Sequence, residues 1–257
     1  MPMPNQSSAG ENGATEAQWK SIYTVGGVFT VISLIAIILD IIIGTATGGD
    51  LSALPQTAIE RFAQLQATPL LGLYNLDLLN TVNQLLMVPV YFALYAAHRK
   101  ANNAYSLLSL IIFLIATTIF VTSNTALPML ELSEKYATAT SESHKTLLAA
   151  AGEAMLARGE HGSLGVFFGF LLPNVAGLIM SFVMLNAKVF SEINAYFGIA
   201  GNILISVYVL LVTFAPGIKE MATAFAMPGG LLLLAWTTLF MIRLFQLGSL
   251  KNSKAAM

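Results

Sequence analysis

The chain has no cysteine, and that absence excludes disulfides, thiolate metal sites, palmitoyl anchors and a thiol nucleophile together. Charge is almost as scarce. Asp, Glu, Lys and Arg make up 10% of the 257 residues, whereas soluble domains carry about a quarter, so no charged surface exists to hold this chain in water. The charges nearly cancel, at −1 net, and give no basic field for a nucleic-acid backbone; nucleic acid is excluded as a partner. Histidine is restricted to His98, His144 and His161. Walker loops, H-E-x-x-H and dinucleotide fingerprints are missing, and His161-Gly162-Ser163-Leu164-Gly165 lacks the first glycine of a serine elbow. No cofactor, no catalytic group and no complete metal-ligand set is expected.

What the chain has instead is hydrocarbon, with 56% hydrophobic residues and a mean hydropathy of +0.74. Crossing a bilayer takes about 20 mostly apolar residues in a helix. The helix is needed because lipid satisfies no backbone N–H or C=O. Runs of that length fall at 22–44, 76–97, 104–126, 163–185, 195–215 and 229–247. They predict an all-α polytopic transmembrane bundle of six helices, one domain over 20–248. A polar N-terminal tail at 1–19, read as disordered, and a C-terminal tail at 249–257 flank it. The first run is too long for a signal-peptide core and ends without an A-x-A pattern, so it is expected to be retained. Pro89 and Pro173 fall inside the second and fourth runs, where proline kinks a helix.

Six crossings leave both termini on one side. Lys20, Arg99, Lys100, Lys188, Arg243, Lys251 and Lys254 sit there close to helix ends, while Arg61, Lys135, Lys145, Arg158 and Lys219 are spread along the opposite loops. The positive-inside rule then predicts cytoplasmic termini in a cell (inner) membrane. The outer connections are the long ones, and two of them carry amphipathic patterns. Leu51, Leu54, Ala58, Phe62 and Leu65 share a helical face in the first, and Leu147, Leu148, Ala151 and Met155 share one in the second. Such helices either rest among lipid headgroups or fold over the bundle, and a helical cap is expected here.

Polar groups in hydrocarbon need a reason, since an Asp at the centre of a spanning helix costs about 2.5 to 3.5 kcal/mol. Asp77, Asn80 and Gln84 recur at i, i+3 and i+7, and Tyr91 continues the stripe. With the expected topology, Asp40 near the end of the first run, Asn124 at the end of the third and His161 before the fourth reach the same level. Interhelical hydrogen bonds of about 0.6 kcal/mol each account for such residues as packing. The sharper reading is an outward-facing polar pocket beneath the cap, with Asp40, Asp77, Asn80, Gln84, Asn124 and His161 as ligand-binding candidates. His144 and His161 with Glu153 or Glu160 form the one metal arrangement the topology permits, although loop histidines of this kind are usually solvated. Gly165 and Gly169 make a G-x-x-x-G pair that serves packing in the bundle or a homo-oligomer. Trp236 is expected inside the bundle, and Arg243 is expected to snorkel.

Several short motifs add a family likeness. Leu94-Tyr95 precedes the basic turn His98-Arg99-Lys100, His161-Gly162 opens a helix carrying Leu171-Leu172-Pro173, and Phe190, Phe197-Gly198-Ile199-Ala200-Gly201 and Trp236 follow. On these residues the chain resembles, over roughly 22–247, the membrane family catalogued as domain of unknown function 4386. The resemblance implies a six-helix fold of bacterial or archaeal origin with no assigned activity to carry over. The expected function is binding of a small molecule or lipid in the outward-facing pocket, in a sensor or accessory role, with membrane lipids as partners. The alternative is a small-solute or proton-coupled transporter in which Asp77 loads the cation; an intramembrane lipid hydrolase is less favoured.

Overall fold

A computed structural model describes residues 6–46, 54–159, 163–215, 217 and 219–249, and among them there is no strand. Ten α-helices follow one another: α1 (Gln6–Ala46), α2 (Ala58–Ala67), α3 (Pro69–Tyr74), α4 (Leu78–His98) and α5 (Asn103–Ser123). Then come α6 (Ala126–Thr138), α7 (Glu142–Gly159), α8 (Phe167–Ala187), α9 (Glu192–Phe214) and α10 (Lys219–Ser249). Among the described residues six stretches are long and apolar enough to cross a membrane, in α1, α4, α5, α8, α9 and α10. Helix α1 begins at Gln6, upstream of the apolar run, so the stretch read as a disordered tail is helical from that residue on. Its Ala, Glu and Gln residues favour helix once the spanning segment has nucleated one.

The spanning helices close a ring in chain order: each packs on the next, and α1 packs on α10. The ring is tight where side chains are absent. A Cβ on Gly26 would collide with the Ala93 methyl, which is how α1 approaches α4. The buried centre lies towards the chain termini, where Val90, Ala93 and Leu94 of α4 meet Met180, Val183 and Met184 of α8 and Trp236, Phe240 and Leu244 of α10. Trp236 is inside, 4% exposed, and its indole N–H points at Met184 Sδ at 3.4 Å. Arg243 donates from Nε to the Val189 carbonyl at 2.8 Å, tying α10 to the α8–α9 connection.

The remaining helices gather at the opposite end. Thr57 and Glu60 form a reciprocal capping box that starts α2. The Gln56 and Thr57 N–H groups that bond the Glu60 carboxylate hold it below the usual carboxylate range. Ala58, Phe62 and Leu65 of α2 pack with Leu76, Ala126 and Met129 and with Leu156 of α7, forming an apolar cluster distinct from the one near the termini. Leu54 is half-buried beside that face, and Leu51 lies outside the described residues. Helix α7 departs from the expected face. Leu147 is 67% exposed, and the buried line runs through Leu148, Gly152, Leu156 and Gly159. The reason is Gly152, where an added Cβ would come within 2.7 Å of both Ala58 and Phe62, so α7 turns its glycine face to α2. Glu153 Oε1 then accepts the Ala58 N–H at 2.7 Å and pins the two helices together. Gly169 seats against Phe120 of α5, and a Cβ on Gly165 would strike the Arg158 carbonyl, so both glycines of the G-x-x-x-G pair are used within the chain.

Candidate functional site

Just before α4 the backbone turns sharply. Asp77 takes φ 60 and ψ 25, the left-handed region that Asp and Asn enter more readily than other non-glycine residues. Its N–H donates to the Tyr74 carbonyl at 3.0 Å, and its own carbonyl accepts the Thr81 hydroxyl at 2.9 Å. The turn thus ends α3 and starts α4 with the carboxylate held at the helix mouth. Asn80 Nδ2 donates to Asp77 Oδ1 at 2.9 Å, as their spacing of three along one helix face allows.

Tyr74, the last residue of α3, links this turn to α1. Its hydroxyl donates to the Asp40 carbonyl at 3.0 Å and also engages the Asp40 carboxylate. Burial, the Asp40 charge and its hydrogen bond, and finally the Asp77 charge push the phenol up to about 12. At neutral pH Tyr74 is therefore a proton donor bonded to Asp40, three residues before Asp77 in the same turn. Tyr208 on α9 lines a small cleft between the start of α8 and the end of α9, together with Ser163, Val166, Phe170 and Val212; its volume of about 10 Å³ has room for a water molecule and no more.

The other candidates do different work. Gln84, two turns deeper, donates from Nε2 to the Thr117 hydroxyl of α5 at 3.4 Å, a long contact that bridges neighbouring helices. Asn124 is a strut: its Nδ2 donates to the Leu76 carbonyl at 2.8 Å and its Oδ1 accepts the Ala126 N–H at 3.1 Å, ending α5 and starting α6. It therefore sits one residue from Asp77 through backbone contacts. His161 and Glu160 lie outside the described residues. Of their proposed metal partners, Glu153 is engaged in capping α2 and His144 is exposed.

The structure brings Asp40, Asp77 and Asn80 together around Tyr74, and adds Gln84 and Asn124 at the margins by way of α5. Sequence reasoning missed Tyr74 and Tyr208. Tyr208 carried a signal, since Asn194, Gly198, Gly201, Asn202 and Tyr208 mark the inner side of α9 at helical spacing. Tyr74 carried none, because a six-residue helix between two turns has too little periodicity to reveal a face.

Six spanning helices with a four-helix cluster at one end define an integral, multi-pass helical membrane protein. The chain belongs to the family described as Domain of unknown function (DUF4386), which it matches over residues 24–244, from the first spanning helix into the last. No curated protein and no solved structure matches it significantly.

Proposed function

We propose that the protein binds a small polar molecule or a lipid headgroup at the Asp40, Tyr74, Asp77 and Asn80 cluster, in a sensor or accessory role. The observation that carries this reading is the Tyr74 hydroxyl, which bonds Asp40 of α1 at 3.0 Å from the same turn that holds Asp77 and its Asn80 partner. Packing alone has no need of two acids at one level, because each costs far more in an apolar bundle than an interhelical hydrogen bond returns. Carboxylates with an amide and a phenol suit a cationic or hydroxyl-rich ligand.

The same reading puts the cap outside the cell membrane and the termini in the cytoplasm. Its support is the placement of the basic residues: Lys20, Arg99, Lys100, Lys188 and Arg243 lie close to the ends of spanning helices on one side, whereas Arg61, Lys135, Lys145 and Arg158 are spread along the cap helices on the other.

Native mass spectrometry of the detergent-purified protein tests the binding reading. The wild type is expected to retain a bound mass that Asp77→Asn loses. Identical spectra, with no added mass in either, would sink it. Flux into liposomes that follows pH and disappears in Asp77→Asn would instead identify a permease.

A further inference from the structure

At the termini end of the bundle, far from that cluster, two buried polar side chains carry atoms that nothing bonds among the described residues. His98, the last residue of α4, is 0% exposed, and Asn194, in the first turn of α9, is 1% exposed. His98 Nδ1 lies 2.8 Å from the Leu94 carbonyl, a contact only an N–H makes, so in the neutral ring Nε2 carries the lone pair. Among the described residues nothing bonds that Nε2, and nothing bonds either amide atom of Asn194. Buried polar groups are nearly always met, and leaving three atoms unmet in one small region calls for a cause.

Phe190 connects the two residues. Its ring stacks on His98 with centroids 5.1 Å apart. It also packs in the same buried cluster as Ala195, giving the hydrophobic staple that precedes a helix capped by Ser191. Asn194 stands at the third position of that helix. Its N–H is satisfied by Ser191 Oγ at 3.2 Å, while its side chain does not reach back to complete the capping box. The amide is therefore free of any local structural duty. Gly198, one turn further, lets Ser181 and the Trp236 indole come in close, so the inner side of α9 stays narrow and polar here. Arg99 lies outside this group, engaged with the Ala96 carbonyl at 2.6 Å, the Tyr23 hydroxyl at 3.2 Å and the Trp19 ring at 3.7 Å.

We propose that His98 and Asn194 form a second polar binding site, at the termini end, for a neutral hydroxyl group. The unmet atoms are an acceptor at Nε2, an acceptor at Oδ1 and a donor at Nδ2. A hydroxyl is the smallest group that donates and accepts at once. It donates its proton to Nε2 and accepts from Nδ2, and a water molecule has a second proton for Oδ1. A cation does not suit the site, because Glu192, the carboxylate in the same turn of α9, is exposed rather than buried beside it, and an anion is repelled by the Nε2 lone pair. The hydroxyl comes either from water or from a lipid or metabolite.

Two measurements on the full chain in detergent decide the matter. In a His144→Gln, His161→Gln background His98 is the sole histidine, and its Nε2 is expected to show the nitrogen shift of a hydrogen-bonded acceptor. Asn194→Leu keeps the shape and removes the amide, so it is expected to lower Tm by about 3 °C or more, since a satisfied polar group is lost. A bound mass that Asn194→Leu abolishes identifies an organic hydroxyl, and a bonded Nε2 without added mass identifies water. An unbonded Nε2, a direct nitrogen-to-nitrogen coupling between His98 and Asn194, or a rise in Tm in Asn194→Leu overturns the proposal.

Discussion

The two ends of the bundle meet most of their polar side chains differently, although at the cap end the buried hydroxyls of Thr125 and Ser163 also lack a bond among the described residues. At the cap end Asp77, Asn80, Tyr74 and Asn124 bond one another or the turns that hold them, and an apolar cluster of their own, around Phe62 and Met129, steadies the cap helices. At the termini end the apolar packing is denser, through Met180, Met184, Phe240 and Leu244, yet His98 and Asn194 stand in it with unmet atoms. Position in the chain explains part of this. Long loops supply turns and caps able to partner a carboxylate, whereas the short connections at the other end supply few. The cap end is thus a bonded cluster of polar groups, and the termini end an apolar core that holds unmet polar atoms.

If the cap core is separate, breaking it should spare the bundle. Phe62→Ala removes a ring that is 1% exposed, and is expected to cost about 3 to 5 kcal/mol locally. Hydrogen exchange should then accelerate in α2, α6 and α7 while α9 and α10 stay protected; uniform acceleration would mean the two ends form one cooperative unit. A smaller effect sharpens the picture of the α3–α4 turn. Asp77→Ala should cost about 1 to 2 kcal/mol more than Asp77→Asn in thermal unfolding, because alanine resists the left-handed backbone that asparagine accepts.

The smallest expected effect is Tyr74→Phe, about 1 kcal/mol for a lost hydrogen bond. Its pH dependence is diagnostic. Because Tyr74 is pushed up to about 12 in the fold, its hydroxyl contributes fully below about pH 10, where an unfolded tyrosine is still protonated. That contribution fades as pH rises from there towards 12. The Tm gap between wild type and Tyr74→Phe should therefore be constant below pH 10 and close above it. A gap that widens with pH would mean the fold favours the Tyr74 phenolate, against both its burial and the Asp40 charge.

The spanning helices were legible because lipid imposes a length and forbids unmet backbone, so apolar runs of about 20 residues have one outcome. The stripe of Asp77, Asn80 and Gln84 was legible for a similar reason, being a spacing within one helix. What lay beyond the sequence were contacts set by turns and by glycine. Asn124 looked like a member of the layer and proves to be a cap between α5 and α6. In α7 the hydrophobic pattern selected Leu147, but close approach at Gly152 decided the face. Tyr74 needed the left-handed turn at Asp77 to reach Asp40, and no periodicity encodes that turn. His98 appeared only as part of a basic turn, and its burial follows from Phe190 arriving by way of another connection.

The absence of cysteine makes the central claim directly measurable, since an introduced thiol has no competitor. Gln84 and Leu85 are adjacent on α4 at one depth, the first on the polar stripe and the second 49% exposed on the outer face. A membrane-impermeant maleimide added on the cap side should label Gln84→Cys, because water entering the polar layer lets the thiol ionise, and should leave Leu85→Cys in lipid unlabelled. A silent Gln84→Cys, or equal labelling at both positions, would contradict a water-accessible site beneath the cap.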